Sequence, residues 1–336
     1  MKQRVFRPSG PLHWFMKRGP DVDWSFCGCL SPEERSTAAF AELSGVSKIH
    51  GSKLLCISDK RSRFTARVMG KTEESRRRYL NAGGSEKFIQ ELSLFSSHAE
   101  IVNSVDEFVK NSNGSIVLDI SSLPKRFFFP FVRWILTGPD RDKIDNFVVT
   151  YTSPRAYTPN ALAEDFNDWS QLPLFGGDYL ADPAKMLIVA AGFESLGLHE
   201  QLKGESDLPI KLLLPFPAPP SAFKRSWELI RQLRQPRSHD AFEVIRVAAG
   251  DCSDTFDQLC SLTVGDNRPQ LAPFGPKPVS LGMCLFAVLA NCEVFYTQPA
   301  IYHPDYSVGV ADIDGTPAVT AFAIRLNGKD YYGVPG

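Results

Sequence analysis

The chain has 336 residues, 43% of them apolar and 22% charged, a composition that excludes disordered, fibrous and membrane-embedded classes. Its length exceeds one typical core and fits two domains of roughly 150 residues. Thirty-seven basic side chains meet 38 acidic ones, for a net charge of −1, which excludes a globally basic nucleic-acid glove and leaves any polyanion site local. No run reaches the ~18 apolar residues of a membrane span, and the segment 1–15 lacks the apolar core of a signal peptide. Seven cysteines are scattered through apolar runs. They predict buried free thiols in a reducing, cytoplasmic compartment. Cys27 and Cys29 lack zinc-knuckle spacing, so neither a metal nor a cofactor is expected.

In chain order, Trp24–Leu30 reads as a buried strand and 32–43 as a helix. Lys53–Ile57 is a second strand, ending in Ser58-Asp59. A charged helix is predicted over 71–95, a short strand over 100–103 and a helix over 105–111. Ser115–Ile120 is a strong apolar strand before a buried helix, 127–136, and the strand 147–150 follows. The same order of events returns later. Met186–Ala191, 210–214 and 242–247 read as strands, and 222–233, 253–262 and 279–289 as helices. Leu271 marks a strand end, and 293–295 is a last strand. Continuous apolar strands alternating with helices predict a parallel sheet covered on both faces. The predicted fold is α/β: two tandem Rossmann-like, doubly wound units arising by internal duplication. The first spans 1–165 and the second 180–336, with the break in the Pro- and Gly-bearing stretch 160–184. A C-terminal hairpin is expected within the second unit, because Asn327-Gly328 is a favoured type I′ turn.

An internal repeat supports the duplication. Tyr151, Thr152, Pro154, Tyr157 and Pro159 recur as Tyr296, Thr297, Pro299, Tyr302 and Pro304, in the ungapped pattern YTxPxxYxP. Each copy follows a strand-like run.

Open parallel sheets bind ligands beyond the carboxyl ends of their strands, so the strand-end loops are the candidates. Lys125 and Lys277 each follow a proline between a strand and an apolar helix. A helix start attracts an anion, a lysine adds a mobile charge for phosphate, and Gly275 permits close backbone approach. The competing reading is a proline that simply starts a helix; its recurrence in both halves brings the ligand reading level. Tyr157 and Tyr302 either stack on bases or pack their loops. Lys224 and Arg225 follow another strand-end loop. The basic run 60–78 offers a funnel for a polyanion, but Glu73 and Glu74 dilute it and such runs are mostly solvated helix faces. Asp119 and His303 are isolated candidates for a reactive centre, and Asp312 and Asp314 cap a turn. No GxGxxG, Walker, HExxH or GxSxG motif occurs, so no catalytic residue is assigned.

The stretch Gly275-Pro276-Lys277-Pro278-Val279-Ser280-Leu281 resembles the strand-to-helix signature of CARF (CRISPR-associated Rossmann fold) and related SAVED domains. Gly275 and Lys277 match the CARF Gly-Thr/Ser-Lys loop, where Pro276 replaces the hydroxyl residue. Pro278, Ser280 and Leu281 look like the SAVED version. Ser31 and Ser195 lie where the family places a small polar residue after the first strand, and Ser121, Ser122 and Lys125 are the first-half counterparts. The resemblance implies a sensor for a nucleotide or cyclic oligonucleotide messenger in prokaryotic antiviral defence. Its ligand would sit in a pseudo-two-fold cleft and its signal would be read by a separate effector protein. A non-catalytic subunit of a larger complex, docking through 212–220, is one alternative. A nucleotide hydrolase or phosphodiesterase using Asp119, Lys125 and His303 is another. Nucleic acid itself is a less favoured partner.

Overall fold

A computed structural model of the chain describes residues 6–158, 162–176, 184–192, 208–218, 220–234, 242–264 and 268–334. The chain divides into two compact units, Met1–Asn160 with Ile301–Gly333, and Ala161–Ala300 with Val334–Gly336. Among the described residues no helix is long and apolar enough to cross a membrane.

The first unit is built on one large mixed sheet. After an edge strand β1 (Ser9–Pro11), its parallel part contains β2 (Trp24–Leu30), β3 (Ile49–Ser58), β4 (Ile89–Ser93), β5 (Ser115–Asp119) and β6 (Asn146–Thr152). The pairing order is β6-β5-β2-β3-β4. β2, β5 and β6 are buried along their whole length, as their unbroken apolar runs require of a sheet covered on both faces. Helices α1 (Leu12–Arg18), α2 (Ala38–Val46) and α3 (Thr65–Asn81) cover one face, where Leu12, Phe40, Leu43 and Tyr79 pack with Trp24, Phe26, Leu54 and Val117. On the other face, Lys53 of β3 bonds Glu107 of α4 (His98–Lys110) at 2.6 Å. There α4 packs on α5 (Lys125–Thr137).

Two expectations are corrected here. Residues 100–103 lie inside α4, not in a strand. Ser97 and Glu100 form a reciprocal capping box at its start, and Ile101, Val105, Phe108 and Val109 are buried at helical spacing. The strand of this region is β4, placed by sequence in the tail of a helix; α3 ends at Asn81, and Gly83 (φ +93°) follows it.

The C-terminal strand also differs from expectation. Val319–Leu326, expected in the second unit, pairs antiparallel with β6 (Phe322 opposite Val149) and with Ser9–Pro11. It therefore completes the first unit's sheet. Asn327 and Gly328, both at positive φ, turn the chain so that Arg325 and Leu326 pair with Asp330 and Lys329. Without this strand the buried edge of β6 would have unpaired backbone groups.

Among the described residues the second unit holds four parallel strands, Phe242–Ala248, Ile210–Phe216, Met186–Ala190 and Pro269–Pro273, paired in that order. Leu271 bridges to Val294 in parallel. The order matches β4-β3-β2-β5 of the first unit, with Val294 in the place of β6. Each unit is thus Rossmann-like, with strand order reversing beside its first parallel strand. A separate two-stranded sheet pairs Ala163–Gln171 with Phe295–Tyr302. The helices Cys252–Leu262 and Lys277–Leu289 cross at Gly282, where an added Cβ would meet the Cys252 carbonyl at 2.5 Å.

Two substitutions test these packings by urea unfolding. Phe322→Ala, at a side chain 2% exposed, should cost about 3–5 kcal/mol if Val319–Leu326 belongs to the sheet core. Gly282→Ala should cost about 1–3 kcal/mol through forced separation of the two helices.

Candidate functional site

The reversal of strand order in the first unit falls between β2 and β5, so the turns after β2, β5 and β6 converge on one end of the sheet. Ser122 Oγ donates to the Cys29 carbonyl at 3.1 Å, tying the turn after β5 to the end of β2. Ser121 is fully buried; its Oγ donates to Asp119 Oδ1 at 2.6 Å and accepts from the Thr152 N–H at 2.8 Å. That hydroxyl joins the ends of β5 and β6. Ser31 Oγ accepts from the Glu33 N–H at 3.2 Å and shapes the turn after β2. The three serines expected at a ligand thus hold backbone turns together.

Asp119 is completely enclosed. Its Oδ1 also accepts from Thr150 Oγ1 at 3.1 Å, while Oδ2 has no partner among the described residues. Burial pushes this carboxyl up to about 6, against the opposing hydrogen bonds from Ser121 and Thr150 and the nearby Arg35 charge. Burial likewise pushes the neighbouring Cys27 thiol up to about 12, so it is not a thiolate nucleophile at neutral pH.

Arg35 carries the strongest buried charge of the site. It is 2% exposed. Its Nη2 lies 2.8 Å from Glu33 Oε2, and its Nη1 donates to the Thr152 carbonyl at 3.2 Å. The guanidinium also faces the rings of Tyr151 (5.6 Å) and Tyr157 (5.9 Å). Burial opposes the charge, but Glu33 holds it well above the usual arginine range. Ser307 Oγ donates to the same Glu33 oxygen. Arg35 and Glu33 therefore connect the turn after β2, the end of β6 and the returning C-terminal segment.

The later parts of both YTxPxxYxP loops meet in this unit. Tyr157 pairs with Ser307 across a short antiparallel ladder. The ring of Tyr306 lies edge-on to Tyr157 at 6.0 Å and to Tyr302 at 6.2 Å. All three rings are half-buried. The Tyr302 N–H donates to Asp59 Oδ2 at 3.2 Å. His303 lies against Phe64 at 4.7 Å, and its Nδ1 accepts from the Asp305 N–H at 3.1 Å. Asp305 is gripped by Arg67 and Lys71, each at 2.7 Å.

The two lysine turns share a local geometry. α5 begins at Lys125 after Pro124 (φ −58°, ψ 149°), and the second helix begins at Lys277 after Pro276 (φ −60°, ψ 161°). Lys125 is 8% exposed and Lys277 half-buried. Gly275 lies where a Cβ would press within 3.0 Å of the Ala190 Cβ and 3.3 Å of the Ala191 carbonyl. Its smallness lets the turn close on the end of Met186–Ala190. Ser280 is buried and donates to the Gly275 carbonyl at 3.0 Å, so its hydroxyl also serves the turn. Lys224 is exposed and Arg225 half-buried on the helix Pro220–Arg234. Ser195 lies outside the described residues.

Sequence reasoning missed Arg35, Glu33 and Tyr306 in the first unit. In the second it missed Trp169, which stacks between Phe274 (6.0 Å, 15°) and Phe295 (5.6 Å, 10°) beside the Gly275 turn.

No protein-family model matches the chain, and no curated protein does. Among solved structures it is similar to PA1789 of Pseudomonas aeruginosa PAO1, a functionally unknown protein. That likeness has 16% identity, covers 82% of this chain and 92% of the other, and has a TM-score of 0.25.

The enclosed Asp119 makes a pH prediction. A carboxyl raised in the folded state binds its proton more tightly there than in the unfolded chain. The stability it contributes is complete below about pH 4 and is lost as pH rises through about 6. Asp119→Asn should remove about 2–3 kcal/mol of that slope. Urea midpoints of both proteins across this range check it; parallel profiles would refute the assignment.

Proposed function

We propose that the chain binds a phosphate-bearing nucleotide or cyclic oligonucleotide messenger and serves as the sensor component of a prokaryotic antiviral defence system. The observation that carries this reading is the pair of lysine turns. Each unit ends the strand beside its switch point in a proline-capped helix whose first residue is lysine, Lys125 or Lys277. A helix start with its N–H groups outward and a lysine on its first residue suits a phosphate. The resemblance of Gly275–Leu281 to the CARF and SAVED signature supports the same ligand class. In this reading Tyr157 and Tyr302 lie against bases. Ser121, Ser122 and Ser280 hold the turns in shape, and a partner protein reads the liganded state.

A subunit role in a larger complex is the second reading. It is favoured by three apolar side chains of the second unit: Phe216, Val244 and Trp227 are 44%, 40% and 56% exposed. A complex that forms without any small molecule and is lost in Phe216→Asp would select it.

A thermal-shift screen against cyclic and linear oligonucleotides and mononucleotides tests the sensor reading. A ligand at about 100 times its Kd stabilises the fold by roughly 2.7 kcal/mol. The shift should appear with one messenger class and shrink in both Lys125→Ala and Lys277→Ala. No shift with any member of the panel would overturn it.

A further inference from the structure

The carboxyl-end surface of the first unit gathers rings and cations. Arg63 lies over the Phe64 ring at 4.7 Å, and Phe64 meets His303 at 4.7 Å. Beside His303, Tyr302 leads to Tyr306 and Tyr306 to Tyr157, at spacings of 6.2 and 6.0 Å. Arg155 closes the run. Its N–H donates to the Gly309 carbonyl at 3.5 Å, and its side chain lies 3.4 Å from where a Cβ on Gly309 would stand. Gly309 has φ +63°, so the close approach of Arg155 and the left-handed backbone both favour glycine there.

The charge of this surface is one-sided. Segments 59–71, 153–158 and 301–309 contain Lys60, Arg61, Arg63, Arg67, Lys71 and Arg155 against Asp59 and Asp305. Asp305 is taken up by Arg67 and Lys71, and Asp59 accepts the Tyr302 N–H. Lys60, Arg61, Arg63 and Arg155 are exposed. These four cations lie on loops beside half-buried rings. A groove for unpaired bases needs both, because every base offers a face for stacking and every linkage a phosphate charge.

We propose that this surface, from Arg61 through Phe64, His303, Tyr302 and Tyr306 to Tyr157 and Arg155, is a platform for single-stranded nucleic acid. Bases stack or wedge along the rings while the flanking arginines follow the phosphates. Double-stranded nucleic acid hides its base faces and gains only the charge. The platform shares Tyr157 and Tyr302 with the messenger reading but takes its charge from residues other than Lys125 and Lys277, so the two readings fail separately.

The test is fluorescence anisotropy of the full chain with labelled single strands of about twelve bases, RNA and DNA, beside a duplex of equal length. The single strand should bind about tenfold or more tightly than the duplex, with affinity falling steeply with salt. Tyr306→Ala should weaken it about fivefold or more, and Tyr306→Phe should restore it. The surface variant Arg61→Glu with Arg63→Glu, at two exposed positions, should weaken it and flatten the salt dependence. Arg77→Glu, further along on α3 with its side chain 71% exposed, should change it less than twofold, since a lone surface charge gives no stacking. The platform is overturned if the wild-type chain binds no strand at low salt, if the duplex binds equally, or if Arg77→Glu matches the Arg61/Arg63 variant. Strand binding retained in Lys125→Ala and Lys277→Ala, with no messenger shift, would uphold the platform and reject the messenger.

Discussion

A parallel sheet covered on both faces leaves only its strand ends for chemistry, and in the first unit those ends are closed by Ser121 and Arg35. Both meet Thr152, Ser121 at its N–H and Arg35 at its carbonyl. Buried backbone groups must be paired, and here the pairing is done by side chains from two other turns. The consequence is a rigid floor. Above it, the half-buried tyrosines are held by Glu33, Ser307 and the short ladder that joins residues 156–157 to 307–308. Arg35 also places a permanent positive charge beneath the rings. Its partner Glu33 offsets that charge, which makes the floor nearly neutral and leaves the exposed arginines around it to set the local field.

The strands of the parallel sheets were legible because burial on both faces forces unbroken apolar runs; Trp24–Leu30, Ser115–Ile120 and Met186–Ala191 all read that way. The α4 error arose from a local ambiguity. Glu100–Asn103 holds only two apolar residues, too few to distinguish periods of 2 and 3.6. The capping pair Ser97 and Glu100, three apart before an apolar pattern, was the signal that decides it. The fate of Val319–Leu326 was illegible for a different reason. Alternation marks a strand but does not name its partner, and its partner β6 lies about 170 residues earlier, by the pairing of Phe322 with Val149. A division into halves by sequence order cannot anticipate a chain that leaves the first unit and returns to finish its sheet.

The lysine turns were legible because a strand, a proline and an apolar helix in succession fix where the helix begins. The serines near them were legible as polar residues at strand ends, but their roles were not. Short hydroxyl side chains reach backbone groups before they reach anything else, and Ser121, Ser122 and Ser280 all do so. Arg35 was hidden by its context. Residues 32–43 read as one helix, and burial of Arg35 depends on Glu33, Tyr151 and Tyr157 together. Tyr306 lies just past the repeat and carried no pattern of its own.

The repeated motif divides into two parts with different duties. Its opening Tyr-Thr is interior in both copies: Tyr151 and Tyr296 are 7% and 6% exposed, and Thr152 and Thr297 are 0% and 1%. Both threonine hydroxyls are buried without a hydrogen-bond partner among the described residues, a shared cost that neither strand needs for its pairing. The second tyrosine, Tyr157 or Tyr302, is half-buried in both copies, and the Tyr157 hydroxyl bonds that of Tyr151 at 3.0 Å. At the same offset, the last aromatic residue of each copy thus keeps part of its ring open. A motif that anchors a loop by its first half and presents a ring by its second accounts for both observations. That division is why the half-buried tyrosines, and not the fully buried serines, are the residues on which the binding readings turn.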